Sequence, residues 1–261
     1  MALFIWLKGN GQQLPLYTQY QFNPYSINPA TAGAKKHYTV RTNYRGQWVG
    51  LTDAPRTYTL SVSGPTKDRK MGLGGYIFTD NVGPTRRMGF QFSYAYYFNI
   101  QKGMRLGLSL SAGMLQFNID ASKVDIVDPS DQAFAQDLLT TLEPDAKFGA
   151  HLHTEKYYVG LVAPQLFRNS LKFDTDQRDV PLKTDSRLKN HFILTGGYEY
   201  ELNDVFALEP SLLMKYVYPV PVQLDVGTRV IYNDNIWLGL QYRSQDAITT
   251  MLGYRYKKNL S

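Results

Sequence analysis

Four histidines and no cysteine set narrow limits on the reactive chemistry open to this sequence. His151 and His153 stand two apart, which puts both on one face of a strand, where two imidazoles could share a metal ion. No third ligand accompanies them, so they read as residues lining an interior and no metal is expected. Asp174, Asp176 and Asp179 resemble a loose calcium loop, but the spacing lacks the Gly and terminal Glu of an EF-hand, and a solvated loop is the better account. Met71-Gly72-Leu73-Gly74-Gly75 is glycine-rich, yet no helix follows to offer its N-terminus to a phosphate; these glycines relieve crowding or permit bending within a strand. Serines are numerous, but there is neither a nucleophile elbow nor a Ser-His-Asp set. The absence of cysteine excludes disulfides, iron-sulfur clusters and thiol nucleophiles. No catalytic residue, cofactor or small-molecule substrate is assigned, and the expectation is a protein that is not an enzyme.

The elements that would carry these residues are strands. From Met104 to Met114 one face reads Met104, Leu106, Leu108, Leu110, Ala112, Met114 and the other Arg105, Gly107, Ser109, Ser111, Gly113. From Val222 to Tyr232, Val222, Leu224, Val226, Thr228, Val230 and Tyr232 oppose Gln223, Asp225, Gly227 and Arg229. Strict alternation means two different environments on the two faces. A run of about eleven residues suits a tilted membrane strand and is about twice a typical soluble one. The pattern recurs at 90–98, 206–216 and 236–243, and more faintly at 36–45, 56–64, 71–79, 146–154, 157–164, 190–202 and 247–256, giving about twelve strands.

Two-faced strands also build soluble lipocalins and sandwiches, where the apolar face points inward. A dozen long strands carry more apolar face than one small core absorbs. The fold expected is therefore all-β, an antiparallel transmembrane outer-membrane β-barrel with outer-membrane lipids as its surroundings. Its apolar face would meet lipid, and Arg105, Glu209, Lys215, Asp225, Arg229 and Arg243 would line the lumen. A chain that is 43% hydrophobic yet has a mean hydropathy of -0.34 spreads its apolar residues thinly, as such strands require. No stretch approaches the roughly 20 apolar residues of a membrane helix. The formal charge of +6 is dispersed without a basic run, so no nucleic acid is expected.

The connections predicted at 46–55, 80–87, 120–145 and 165–189 are long, while 101–103, 154–156, 203–204 and 233–235 are tight turns. Tyr218-Pro219-Val220-Pro221 and Ser244-Gln245-Asp246 are short where the pattern wants long. Outer-membrane barrels keep short turns in the periplasm, which places the start of the first strand there. Residues 1–13 carry a short apolar run and read as the remnant of a signal peptide or as an ordinary strand. Residues 14–35 read as an N-terminal periplasmic or lumenal segment, and 36–261 as the barrel domain.

Two Asn-Pro pairs, Asn23-Pro24 and Asn28-Pro29, break any strand and force tight turns. With Ala32 and Gly33 they form a candidate partner-docking or plug segment, the alternative being a simple lead into the first strand. Tyr44, Arg45, Gln47 and Trp48 form a candidate anchor for an inward-folded loop, through cation–π stacking and hydrogen bonds.

The run Tyr17-Thr18-Gln19-Tyr20-Gln21-Phe22-Asn23-Pro24-Tyr25-Ser26-Ile27-Asn28-Pro29-Ala30-Thr31-Ala32-Gly33, with Tyr44-Arg45-Gly46-Gln47-Trp48-Val49-Gly50, Ala54-Pro55-Arg56-Thr57-Tyr58, Asp80-Asn81-Val82-Gly83-Pro84-Thr85 and Tyr157-Tyr158-Val159-Gly160-Leu161, resembles the PorP/SprF family of Bacteroidetes outer-membrane proteins. The resemblance implies a non-enzymatic barrel of the type IX secretion system, supporting secretion or surface attachment of adhesins and, in some members, gliding motility. It implies periplasmic ring proteins or a secreted surface adhesin as partners. Members usually continue past 254–261 for another hairpin, which implies about fourteen strands with a C-terminal hairpin missing here. The competing function is a passive porin-like channel for small solutes.

Overall fold

The computed structural model describes residues 20–120, 122, 138–167, 191–244 and 246–256, so the apolar run at 1–13 and the aspartates at 174–179 lie outside the described residues. After a one-turn helix α1 (Pro24–Ile27) and a 3-10 turn (Pro29–Thr31), the described chain is strands. They are β1 (Thr39–Gly46), β2 (Arg56–Pro65), β3 (Met71–Val82), β4 (Thr85–Gln101), β5 (Met104–Asp120), β6 (Leu138–His153), β7 (Tyr157–Ala163), β8 (Phe192–Tyr198), β9 (Tyr200–Glu201), β10 (Phe206–Val217), β11 (Val220–Tyr232), β12 (Ile236–Arg243) and β13 (Ala247–Tyr254). All thirteen belong to one antiparallel sheet in chain order, with the short β9 pairing only with β10. The count exceeds the expected twelve because the segment predicted at 190–202 is divided at Glu199, whose N–H bonds to Lys156 O instead of the ladder.

Burial in this sheet is inverted relative to a water-soluble protein. In β2 the buried Thr57, Thr59, Ser61 and Ser63 alternate with the exposed Tyr58, Leu60 and Val62. Phe92 of β4 is 69% exposed, and Ile248 and Leu252 of β13 are 72% and 76% exposed. An apolar surface this extensive is incompatible with water and suits hydrocarbon. From Met88 to Phe98 of β4, ten steps of about 3.4 Å each, tilted roughly 40°, span about 26 Å, close to the apolar band of an outer-membrane barrel. No helix among the described residues is long and apolar enough to cross a membrane. The strands are therefore the spanning elements.

Laid flat, the twelve strand places of this sheet, about 4.8 Å apart with β8 and β9 sharing one, would be about 53 Å wide. Yet residues 20–33 touch β1, β2, β4, β6, β10 and β12 at once, so the sheet is curled with its polar face inward. The ladder path ends at β1 and β13, and no ladder joins those two strands among the described residues.

One end of the curled sheet carries only short connections, among them Thr154-Glu155-Lys156 and Asn233-Asp234-Asn235. In the latter, Asn233 and Asp234 take the left-handed φ values (52° and 56°) that suit a type I′ hairpin. The other end carries residues 47–55 and the connections after β5 and β7. Two expected long connections are corrected. Residues 80–87 are strand except for Gly83-Pro84, because Val82 and Thr85 still pair and Gly83 turns the chain at φ 55°. Residues 138–145 extend β6, since the long β5 supplies partners as far as Asp120, opposite Leu138.

Candidate functional site

The residues that make individual contacts inside the barrel belong to the segment with the Asn-Pro pairs. Asn23 precedes α1 and turns its amide to the wall: Nδ2 donates to Asn43 Oδ1 of β1 at 3.1 Å and to Ser61 Oγ of β2 at 3.1 Å. Pro24 opens α1, where a missing N–H costs nothing. Asn28 closes it, its N–H bonding Pro24 O at 2.8 Å, and its side chain then begins the next turn by accepting from Ala30 N–H at 3.0 Å. The same amide donates through Nδ2 to Ala150 O of β6 at 2.9 Å. Asn28 thus fixes a local turn with its side chain and ties it to the wall, while the Asn23 side chain ties the segment to the wall without capping α1.

The wall is shaped to receive this segment. A Cβ placed on Gly72 would lie 1.8 Å from Ala32 O, and one on Gly149 would lie 2.3 Å from Asn28 Oδ1. Gly33 takes φ +80°, which lets the chain pass against Gly72. Ala30 and Ala32 are fully buried, and the Tyr97 hydroxyl donates to both their carbonyls, at 2.7 and 2.8 Å. Tyr25 reaches the opposite way and donates to Ser93 Oγ at 2.9 Å. Burial pushes its phenol up to about 12, so it serves as a neutral donor. Tyr20 shares a hydrogen bond with Ser211 of β10 at 3.0 Å, and Gln21 donates to the same hydroxyl. Phe22 stacks on Trp237 of β12 at 4.3 Å between ring centroids, with the Arg229 guanidinium 4.9 Å from the Phe22 ring.

Charged side chains on the inner face are paired across neighbouring strands. Arg243 grips Asp225 through Nε and Nη2 at 2.9–3.0 Å, the two being 4% and 1% exposed, and Gln241 and Gln223 also donate to Asp225. Arg229 pairs with Glu209, directly opposite in the β10–β11 ladder. Arg105 sits over the Tyr97 ring at 4.3 Å and donates to Arg69 O. Lys215 is buried on the same face. The segment separates a cavity of about 150 Å³ on the short-turn side, bordered by Lys35, Arg41, His151, Tyr158 and Glu209, from one of about 90 Å³ bordered by Arg87, Asp145, Lys147, Lys215 and Arg243.

Sequence reasoning did not identify Tyr97, Trp237, Gly149 or Lys147, whose ammonium reaches Ser26 O at 3.4 Å. A signal was present: Tyr97 and Trp237 are aromatics in the polar register of otherwise alternating strands. The residues singled out near the first loop lie elsewhere. Tyr44 tilts against Tyr58 on the outer face at 4.9 Å, Gln47 N–H bonds Pro55 O at 3.0 Å, and Trp48 is 66% exposed and meets no other ring among the described residues. His151 and His153 stack on one another at 5.1 Å, beside Tyr158 and Tyr97, and no group of three metal-ligating side chains occurs among the described residues.

No curated protein matches this sequence. The sequence model of the family described as type IX secretion system membrane protein PorP/SprF matches residues 9–261. A match over nearly the whole sequence, on a curled, lipid-facing antiparallel sheet, settles the assignment: the chain belongs to the PorP/SprF family of type IX secretion system membrane proteins.

Proposed function

We propose that this secretion-system component works as a plugged, non-enzymatic scaffold of the outer membrane, holding a periplasmic ring protein or a secreted adhesin in place and so supporting adhesin attachment and gliding. The observation that carries the reading is the seat of residues 20–33, which are bonded to strands all round the lumen and divide it into two small cavities. A solute channel needs continuous water; a scaffold needs a rigid body with a presented face. Of the expected 14–35 segment, residues 14–19 lie outside the described residues; residues 20–35 are assigned to the lumen in this reading and lead to the start of β1 at the end where the short turns lie. That end is where a periplasmic partner would dock.

Single-channel recording in planar bilayers tests the plug. The purified protein should give no large steady conductance, and such a conductance would move the reading to a porin. Affinity purification from outer membranes tests the scaffold. A periplasmic ring lipoprotein or one very large adhesin should co-elute, and recovery of neither counts against the role.

A further inference from the structure

The register of β2–β6 stacks two cavities on the outer wall, one polar and one apolar. The outward rung nearest the long connections reads Arg56, Asn81, Arg86, Asn118 and Thr140 across the five strands. The next rung is Tyr58, Thr79, Met88, Gln116 and Leu142, and the one after it begins Leu60, Ile77, Phe90, Met114. A cavity of about 490 Å³ opens at the first rung, bordered by Arg56, Asn81, Arg86 and Asn118 together with Asp53 and Asp120. A second of about 490 Å³ opens directly beneath it, between Leu60, Ile77, Phe90, Met114 and Leu142.

From these two cavities we infer a binding site for a phosphorylated, acylated glycolipid of the surrounding leaflet, with its head group at the first rung and an acyl chain in the groove below. Arg56 and Arg86 flank one strand, about 10 Å apart at the backbone, and form no ion pair among the described residues. Guanidinium groups on a lipid-facing wall are tolerated near the interface, where phosphates lie, and bind them bidentately. The acceptors define the rest of the head group. Asn81 Oδ1 is buried without a donor, and the carboxylates of Asp53 and Asp120 border the same space. A bare phosphate would be repelled by those carboxylates, whereas a sugar hydroxyl supplies the donor that Asn81 Oδ1 lacks and adds to the bond Asp120 already accepts from Ser122 Oγ. Deeper, Thr79 Oγ1 is also buried and unpartnered, on the border of a groove walled mainly by apolar side chains together with Thr42, Thr59 and Gln116. A hydroxylated or ester-linked acyl chain gives that hydroxyl a partner. The inference does not depend on what fills the lumen.

Full-length protein in phosphatidylcholine nanodiscs, titrated with bis-phosphorylated lipid A and read by native mass spectrometry, tests it. Lipid A should be retained over phosphatidylcholine, and R56Q/R86Q should weaken it about tenfold. Met114→Trp, which fills the groove and leaves both arginines untouched, should weaken it as well. Millimolar inorganic phosphate should not displace it. Retention unchanged in both variants, displacement by inorganic phosphate, or no preference over phosphatidylcholine would each overturn the assignment. Both variants are compared with Lys102→Gln, a charge removal at the opposite end, to separate lost binding from lost folding.

Discussion

The inner and outer walls of this barrel are made from alternate residues of the same strands, yet they obey different rules. Along the outer wall Phe92, Tyr94, Tyr96 and Phe98 all meet the same surroundings, and any large apolar side chain serves. On the inner wall Gly72 faces one carbonyl, Gly149 one side-chain amide, and Tyr97 two carbonyls, so each position is fitted to a particular atom. Lipid selects by residue type, and the segment in the lumen selects by shape. The outer wall is therefore tolerant and the inner wall is not.

The sharpest break of this contrast is at Asp225. Asp225→Ala leaves the buried Arg243 guanidinium without its main counter-charge and should cost about 3–5 kcal/mol in urea unfolding of the refolded protein. A loss under about 1 kcal/mol would mean that the inner face is wetted like a surface. Next come two glycines on opposite walls. Gly72→Ala drives a methyl group into Ala32 O and should cost about 1–3 kcal/mol, while Gly75→Ala meets nothing closer than 3.8 Å and should change stability by about 0.5 kcal/mol or less. Equal losses would erase the distinction between the walls. Tyr97→Phe strips the shared donor from Ala30 O and Ala32 O. It should loosen the segment by about 1–2 kcal/mol, seen as faster hydrogen exchange at the amides of residues 30–33 with the strand amides unchanged. Smallest is Lys156→Ala, which breaks a 3.8 Å pair with Glu201 whose side chains are both largely exposed; its effect should lie within about 0.5 kcal/mol in the same unfolding assay.

The difference between the walls also explains what could be read from the sequence. The lipid-facing register was legible because hydrocarbon demands the same residue class at every second position, as in Leu106, Leu108 and Leu110. Strand ends were less legible. Asp80 to Val82 and Thr85 to Arg87 look like a loop because the wall turns polar where it leaves the hydrocarbon, although the β3–β4 ladder runs on to Val82 and Thr85. The start of β6 was hidden likewise, since Thr140, Thr141, Glu143 and Asp145 carry no apolar period and are held by pairing with β5. At the lumenal segment the turns were legible from Asn23-Pro24 and Asn28-Pro29, but their partners were not. Asn28 bonds to Ala150 and Tyr20 to Ser211, across separations of 122 and 191 residues that no local pattern encodes.

Those separations also set an order of assembly. The receptor for residues 20–33 is composite: its walls come from both ends of the sheet, Asn43 and Ser61 on one side and Ser211 and Trp237 on the other. None of it exists until the strands have paired and the sheet has curled. Closing loops this long is entropically costly and slow. The segment therefore leaves the ribosome before the strands that hold it but reaches its place after them, and its docking reports that the barrel around it has formed.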